Sequence, residues 1–403
     1  MNGCQVAIIA DDLSGALDAT APFAARGADA RVVISLDVLA ATLGAWQGQW
    51  PDVIAVNTES RHLQAEEAAR RVSEAVRVLK RASPQQWFKK VDSTLRGQVI
   101  AECKALREAL GMPLLLAPAV PAQGRLVRDA NVWVDGLPLA DTAYQHDARS
   151  PSLVGPIDRA FAAKGMPLQR YRTGLGASLP DHDCIADAQS DAELSALYDA
   201  LRGFENGLEN SFENSRAMAG AAGLATAIAQ RCFGQPDAPF QSLQGVNSVL
   251  YAIGSRSPRA AEQLQQLCLF SPELDVVKAC HEQNGQRLIN SACVVVPGVT
   301  SEKQRTASEV ADAMATQVAS ITATWQADTE RLLFLTGGDI AMAVLTRQGV
   351  SYIDVDAEWS PGVALGCLDG DPRQKVMTKA GGFGDPQLLA RLHDQLKLTL
   401  EAF

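Results

Sequence analysis

The chain has no cysteine pair at CxxC spacing. Its eight cysteines (Cys4, Cys103, Cys184, Cys232, Cys268, Cys280, Cys293 and Cys367) are scattered over 403 residues. This spacing excludes a zinc ribbon or a thioredoxin-type motif and fits reduced thiols in the core of a cytoplasmic protein. Cys280-His281 is at most half a metal site. No HExxH is present, no GxxxxGK[ST] loop, and no GxGxxG after the first apolar run. A zincin and a Walker-type ATPase are therefore excluded, and a dinucleotide-binding opening fits poorly. No run of 18 apolar residues occurs, so no membrane span is predicted. The opening MNGCQVAIIADD lacks a basic segment ahead of its apolar run and reads as a buried strand rather than a signal peptide. Aromatics are scarce, at 5%.

What the chain does have is acid and small apolar residues. Asp and Glu number 46 against 36 Lys and Arg, a net charge of −10. Such a surface repels nucleic acid and anionic membrane, so small molecules are the expected partners. An anionic ligand must then be held by local cations and backbone N–H groups. Hydrophobic residues at 47% argue against disorder. The length suits two or three domains.

Short apolar runs alternate with amphipathic stretches. Strands are predicted at Val6–Ala10, Ala30–Ile34, Val53–Asn57, Gln86–Val91, Leu114–Ala117, Val132–Val134 and Cys184–Ala186, and a helix over Leu63–Arg81, where Glu66 and Glu67 precede Arg70 and Arg71 by four. Residues 232–245, rich in Gly, Pro and Gln, read as a linker. Phe204–Asn214 is polar and reads as mobile. Strands resume at Val249–Gly254, Val276–Ala279, Cys293–Pro297, Leu332–Thr336, Tyr352–Val355 and Lys375–Lys379, with a helix near Ser301–Ala323. The expected fold is α/β: two doubly wound domains with mainly parallel sheets, over 1–235 and 246–403, with the active site in the interdomain cleft.

Two turns concentrate polar chemistry. Ala10-Asp-Asp-Leu-Ser-Gly-Ala16 follows the first strand, where open α/β sheets bind ligands. Adjacent carboxylates there need a cation, a proton or a ligand. Ser14 and Gly15 would offer N–H groups to an anion, although Asp11 or Asp12 could simply cap the next helix. Lys89-Lys-Val-Asp-Ser-Thr-Leu-Arg-Gly97 puts two Lys, an Asp, two hydroxyls and an Arg into another strand-to-helix turn. Arg grips a carboxylate or phosphate through two bonds, and an Asp beside a hydroxyl can orient it or take its proton. Arg125, in Pro118–Arg128, could add an anion contact. His146 and Asp147 are as readily structural as catalytic.

In the second half, Gly254-Ser-Arg-Ser-Pro258 could hold phosphate through Ser255 or Ser257, or Ser257 could cap the helix that Pro258 opens. Leu335-Thr-Gly-Gly-Asp-Ile340, Gly362–Gly366 and Thr378-Lys-Ala-Gly-Gly-Phe-Gly384 supply glycine turns at strand ends, which permit close backbone approach to a nucleotide.

Taken in order, the Asp-Asp turn, Lys90-Val-Asp-Ser-Thr-Leu-Arg-Gly97, Gly124-Arg125, Gly254–Pro258, Gly337-Gly-Asp339 and Thr378–Gly384 resemble the four-carbon acid sugar kinase family over nearly the whole chain. The resemblance implies an N-terminal acid-sugar domain, a C-terminal ATP domain and use of Mg²⁺. It puts Asp11, Asp12, Lys90, Asp92, Ser93 and Arg96 on the acid, where Arg125 is a further candidate contact, and Ser255 or Ser257, Gly337, Gly338, Asp339, Ile340 and Gly381 on the nucleotide. The chain departs from the family pattern at Asn57-Thr-Glu-Ser-Arg61, at Asp339-Ile340, and at Ala380-Gly-Gly382, so the nucleotide site is expected to rely on backbone.

The implied reaction is in-line phosphoryl transfer to the terminal hydroxyl of a threonate, erythronate or oxo-tetronate. Arg96 and Lys90 would clamp charge, and Asp92 or Asp12 would take the hydroxyl proton. The metal ligands, the substrate isomer and the oligomeric state, including a homodimer, stay open at this point. So do a hydroxy-acid lyase or epimerase and an acid-sugar sensor that binds a nucleotide.

Overall fold

The computed structural model describes residues 3–146, 150–174, 178–203, 216–236, 243, 245–280, 292–298, 305–325 and 328–400. Asp147, His281 and the polar segment Phe204–Asn214 lie outside the described residues, as does much of the expected linker. The chain divides into two compact units, Met1–Pro236 and Asp237–Phe403.

The first unit alternates strand and helix: β1 (Val6–Ala10), α1 (Leu13–Ala24), β2 (Ala30–Val33), α2 (Leu36–Ala45), β3 (Val53–Asn57), α3 (Ala65–Leu79), β4 (Gln86–Lys90), α4 (Val99–Leu110) and β5 (Leu114–Ala117). Then come β6 (Arg125–Arg128), β7 (Asn131–Val134), β8 (Leu137–Pro138), α5 (Ile157–Ala163), β9 (Gln169–Arg172), β10 (Cys184–Asp187), α6 (Asp191–Arg202), β11 (Ala217–Gly220) and α7 (Ala222–Phe233). The main sheet runs β2-β3-β1-β4-β11-β5-β10-β9, parallel throughout. Both faces are covered, which explains why Val6–Ala10 and Val53–Asn57 are continuous buried runs rather than alternating ones. From β1 the chain crosses one way, to β2 and β3. From β4 it crosses the other way, to β5. The β1/β4 junction is thus a topological switch point, where such sheets open a crevice at their carboxyl ends.

Two details correct the sequence reading here. Val132–Val134 is a strand, but β6, β7 and β8 form a separate antiparallel sheet instead of joining the parallel one. Ala217–Gly220 is an inner strand that its small residues concealed. A Cβ on Gly220 would strike the Ala117 carbonyl oxygen, so only glycine permits this approach to β5.

The second unit comprises β12 (Val246–Ile253), α8 (Pro258–Phe270), β13 (Asp275–Lys278), β14 (Ala292–Val296), α9 (Ala307–Thr322), β15 (Glu330–Thr336), α10 (Gly338–Arg347), β16 (Tyr352–Ser360), β17 (Val363–Leu368), β18 (Asp371–Lys379) and α11 (Leu388–Leu400). Its strands run β13-β14-β12-β15-β18-β17-β16, parallel as far as β18 and antiparallel beyond. Gly362–Gly366, read as a turn, is mostly strand: Val363–Leu368 is wholly buried. Its run of small apolar residues carries no alternation to mark a strand, and a Cβ on Gly366 would strike the Asp354 carbonyl. The core packs Tyr251, Phe334, Met377, Leu389 and Leu392 between sheet and helices. Buried side chains of this size contribute about 1.5–3 kcal/mol each.

All eight cysteines are free. Burial pushes the thiols of Cys4, Cys103, Cys293 and Cys367 up to about 12.

Candidate functional site

Three strand ends meet at the switch point of the first unit. Beyond β1 stand Asp11, 2% exposed, and Asp12. The cation such a pair demands is Arg61, from the turn after β3. Its Nε and Nη2 donate to the two Asp11 carboxylate oxygens at 2.8 Å each, and its Nη1 and Nη2 donate to Asp12 at 2.7 and 2.8 Å. The backbone holds this turn in place. Thr58 N–H donates to the Ala10 carbonyl, and the Ser60 and Arg61 N–H groups donate to the Asp11 carbonyl. Glu59 takes a left-handed φ of +50° to make the bend, a conformation retained where surrounding contacts enforce it. Burial opposes ionisation of Asp11, but Arg61 and Lys89 outweigh it and hold the carboxyl below its ordinary value.

Beyond β4, Asp92 accepts from Thr94 N–H at 3.0 Å, from the Thr94 hydroxyl, and from Arg96 Nε and Nη2 at 3.0 and 2.8 Å. Leu95, 1% exposed, sits at φ +57° to close this turn. Burial would raise the Asp92 carboxyl, yet Arg96, Arg61 and Thr94 together hold it far below the carboxylate range. Ser93 is half-buried in the same turn.

The two lysines of β4 face opposite ways, as neighbours on a strand must. Lys90 lies by Asp12 and α1: its Nζ is 3.6 Å from Asp18 and donates to the Val91 carbonyl. Lys89, fully buried, meets Glu102 of α4 at 3.2 Å. Ser60 Oγ donates to Glu102, and Thr58 Oγ1 lies 2.7 Å from Ser60 Oγ. A buried ionic layer therefore underlies the Asp-Asp turn. Burial pushes the Glu102 carboxyl up against the pull of Lys89.

The structure thus joins Asp11, Asp12, Lys90, Asp92 and Arg96 in one cluster, turns Lys89 of the same motif onto the opposite face, and adds Arg61, Asp18 and Glu102, which sequence reading did not place there. Two expectations change. The Gly15 N–H is taken by Asp12 Oδ1 at 2.8 Å, so Asp12 is both helix cap and Arg61 partner, and Gly15 offers no donor to an anion. Arg125 belongs to the small antiparallel sheet. It donates to the Gln123 carbonyl and to Tyr144 Oη, while its Nε is buried without a partner. Among the described residues no ion pair or hydrogen bond joins it to the carboxylate cluster. A tether instead reaches the cluster from the segment beyond it: Leu153 N–H donates to the Leu95 carbonyl, and Ser150 Oγ lies 2.7 Å from His62 Nδ1.

In the second unit, the turns after β12, β15 and β18 converge in the same manner. Ser255 Oγ accepts from Ser257 N–H, and Ser257 Oγ caps α8 by accepting from Arg259 N–H, both at 3.2 Å. Gly337 has φ +97°, and its absent Cβ would lie 3.4 Å from Ser255 N. A Cβ on Gly381 would collide with Ser255 Oγ. Gly338 opens α10, with Asp339 in its first turn. Ile340 is buried, and its side chain fills the space a Cβ on Gly254 would need, so its place is in packing. Thr336 Oγ1, between these turns, is buried without a partner.

The family described as a sugar-binding N-terminal domain matches residues 6–228, and that described as a nucleotide-binding C-terminal domain matches residues 250–389. D-threonate kinases of Salmonella typhimurium and Cupriavidus necator are 28% and 31% identical to this chain, covering 96% and 95% of it and the same shares of those proteins. The chain belongs to the four-carbon acid sugar kinase family. A solved Haemophilus influenzae protein shares the fold, with a TM-score of 0.72 at 18% identity over 97% of this chain and 100% of that one. A Bordetella bronchiseptica domain with bound citrate, solved as a domain-swapped dimer, matches at a TM-score of 0.50 and 26% identity, covering 98% of both chains. Within this kinase family, the charged cluster falls inside the sugar-binding match, and the three glycine turns fall inside the nucleotide-binding match.

Proposed function

We propose that this four-carbon acid sugar kinase transfers a phosphoryl group from ATP to the terminal hydroxyl of a tetronate, with threonate the first candidate. Near full-length similarity to proteins named D-threonate kinase, at 28–31% identity, carries the reading. The cluster of alternating acids and cations at the switch point supports it, because a small polyhydroxy carboxylate needs both acceptors for its hydroxyls and cations for its acid group.

The second unit fits the nucleotide. Three converging glycine turns, with Gly337 in the left-handed region and Gly381 close against Ser255, hydroxyls on Ser255 and Ser257, and the unpartnered Thr336 hydroxyl suit phosphates approached through backbone. ATP, with Mg²⁺ on its phosphates, supplies the phosphoryl group. Among the described residues, no three His, Cys, Asp or Glu side chains are grouped to hold a metal, so Mg²⁺ is expected to arrive on the phosphates with few protein ligands. The Bordetella relative makes a homodimer a reasonable arrangement to propose as well.

On this reading the two candidate bases divide their roles. Asp92 is saturated by Arg96 and Thr94 and is a weak proton acceptor. It fixes the Arg96 fork for the substrate carboxylate. Asp12 is held too, by Arg61 and the Gly15 N–H, but its side chain is more accessible, 22% against 11%, and it is the group to orient the hydroxyl and take its proton. Proton loss is late in a loose transition state, so orientation counts more than basicity. Replacing each with Asn and following ADP formation over a tetronate panel tests this. Asp12→Asn is expected to lower kcat by about 10²–10⁴, with Asp92→Asn acting mainly on the KM of the acid. The reverse pattern overturns the assignment. No ADP formation by the wild type with any tetronate overturns the activity.

A further inference from the structure

Lys379 ends β18, 1% exposed, beside the glycine turn Ala380–Gly384. Its Nζ donates to three successive-turn carbonyls, those of Ala380, Gly381 and Phe383, at 2.9, 3.1 and 3.0 Å. An ammonium has three N–H bonds, so all are used. Gln263 of α8, fully buried, adds Nε2 donations to the Phe383 and Asp385 carbonyls at 3.0 and 2.8 Å.

A trans peptide is planar, with its C=O and the following N–H pointing in opposite directions. Carbonyls of residues 380, 381 and 383 turned onto Lys379 therefore turn the N–H groups of Gly381, Gly382 and Gly384 away from it. Each of those three positions is glycine. Among the described residues none of these N–H groups is taken by another partner. Gly381 lies against Ser255, whose hydroxyl occupies the space of its missing Cβ. The Phe383 N–H returns to the Ala380 carbonyl at 3.1 Å, so two consecutive outward N–H groups, those of Gly381 and Gly382, and that of Gly384 beyond are left for a ligand. Outward backbone N–H groups in a turn of this kind bind anions.

We infer that Lys379 is the positioning residue of the nucleotide site: its ammonium gathers three carbonyls so that the N–H groups of Gly381, Gly382 and Gly384 face the phosphates of a nucleoside triphosphate. The inference rests on the proposed use of ATP by this unit. Lys379 does not itself touch phosphate, since its three donors are spent on the turn. The charged group facing it is Arg259, at the start of α8. Its sheet neighbours Thr336 and Val363 are uncharged. Asp385, in the turn beyond, is bound by Arg391 at 2.6 Å. Burial, with Arg259 nearby, pulls the Lys379 ammonium down to about 8.

Two signatures follow, of opposite sign. As pH rises through about 8 the ammonium is lost and the turn loses its anchor. With the binding-competent fraction falling to roughly a tenth, ATP affinity should weaken about tenfold between pH 7 and pH 9. Stability moves the other way. Between about 8 and the ordinary lysine value the unfolded chain binds more protons at this position than the folded one, so this group makes folding more favourable as pH rises.

The experiment is calorimetry of ATP–Mg²⁺ binding to the full chain from pH 6.5 to 9.5, with unfolding followed in parallel for the nucleotide-free protein. Wild type, Lys379→Met and Gln263→Leu are compared. Lys379→Met is expected to bind about 10- to 100-fold more weakly at pH 7, with no further loss up to pH 9. Gln263→Leu keeps the ammonium, so it should bind more weakly but retain the wild-type pH slope. If Lys379→Met does not fold, the wild-type and Gln263→Leu slopes decide alone. Wild-type affinity that is flat to pH 9, or a folded Lys379→Met that binds as wild type does, overturns the inference and leaves the kinase reading intact. A folded wild type that does not bind ATP–Mg²⁺ at pH 7 overturns the kinase reading itself.

Discussion

The two units answer the same topological problem, a crevice at the carboxyl ends of parallel strands, with different chemistry. The first fills its crevice with side-chain charge: Arg61 binds Asp11 and Asp12, Arg96 binds Asp92, and Lys90 pairs with Asp18. The second fills its crevice with backbone, using Gly337, Gly381 and Gly382, two serines and the Lys379 anchor. A ligand distinguished by the stereochemistry of neighbouring hydroxyls needs donors and acceptors at fixed points, which side chains braced by partners supply. Phosphates are nearly alike from every side, and a concave set of N–H groups suits them without specific side chains.

The contrast can be broken most severely at Arg61. Arg61→Ala leaves the buried Asp11 carboxylate beside that of half-buried Asp12 without their shared cation. A cost of about 3–5 kcal/mol in stability is expected, measured by denaturant unfolding, together with loss of tetronate binding. Arg61→Lys should not rescue binding, because one ammonium cannot bridge two carboxylates as the guanidinium fork does. Intact tetronate affinity in a folded Arg61→Ala protein would show that the cluster is structural only.

Gly381→Ala addresses the other side. Its Cβ must displace Ser255, an overpacking cost of about 1–3 kcal/mol. ATP affinity is expected to fall about 5- to 100-fold, with tetronate affinity unchanged. Equal loss of both ligands would erase the division between the units.

The smallest effect is expected at Ser257. Ser257→Ala removes a helix cap worth about 0.5–2 kcal/mol. Tm should drop by about 2–4 °C, while ATP affinity changes less than about threefold if the cap is its main role. A larger change in affinity would make Ser257 a phosphate contact.

The same asymmetry decided what could be read from sequence. Asp11-Asp12 and the Lys90–Gly97 motif were legible because their polar residues are packed into single turns after apolar strands. Arg61 was not, because its meaning depends on carboxylates about fifty positions earlier, and the Asn57–Arg61 run reads as a mere departure from the family pattern. Lys89 was read with its motif, but its pairing was hidden because Glu102 looks like an ordinary surface residue of an amphipathic helix until α4 is packed on β4. The place of Arg125 was not legible, since sequence shows its charge but not that β6 leaves the main sheet. The parallel α/β architecture was visible in the spacing of apolar runs. Ala217–Gly220 and Val363–Leu368 escaped because small residues and glycines form strands only where a neighbouring backbone comes too close for anything larger.

The buried cysteines give the protein a built-in clock. A thiol held near 12 and sealed from water reacts with a disulfide reagent only when the structure around it opens, and the rate then reports the opening. Cys4 and Cys103 lie under the first unit's sheet and helices; Cys293 and Cys367 lie in the second. Once the half-buried Cys232 and Cys268 have reacted, the slower thiols time the opening of the units that hold them, with the reacted cysteine identified in each case. Saturating the chain with one ligand at a time would show which of the two units each ligand stills.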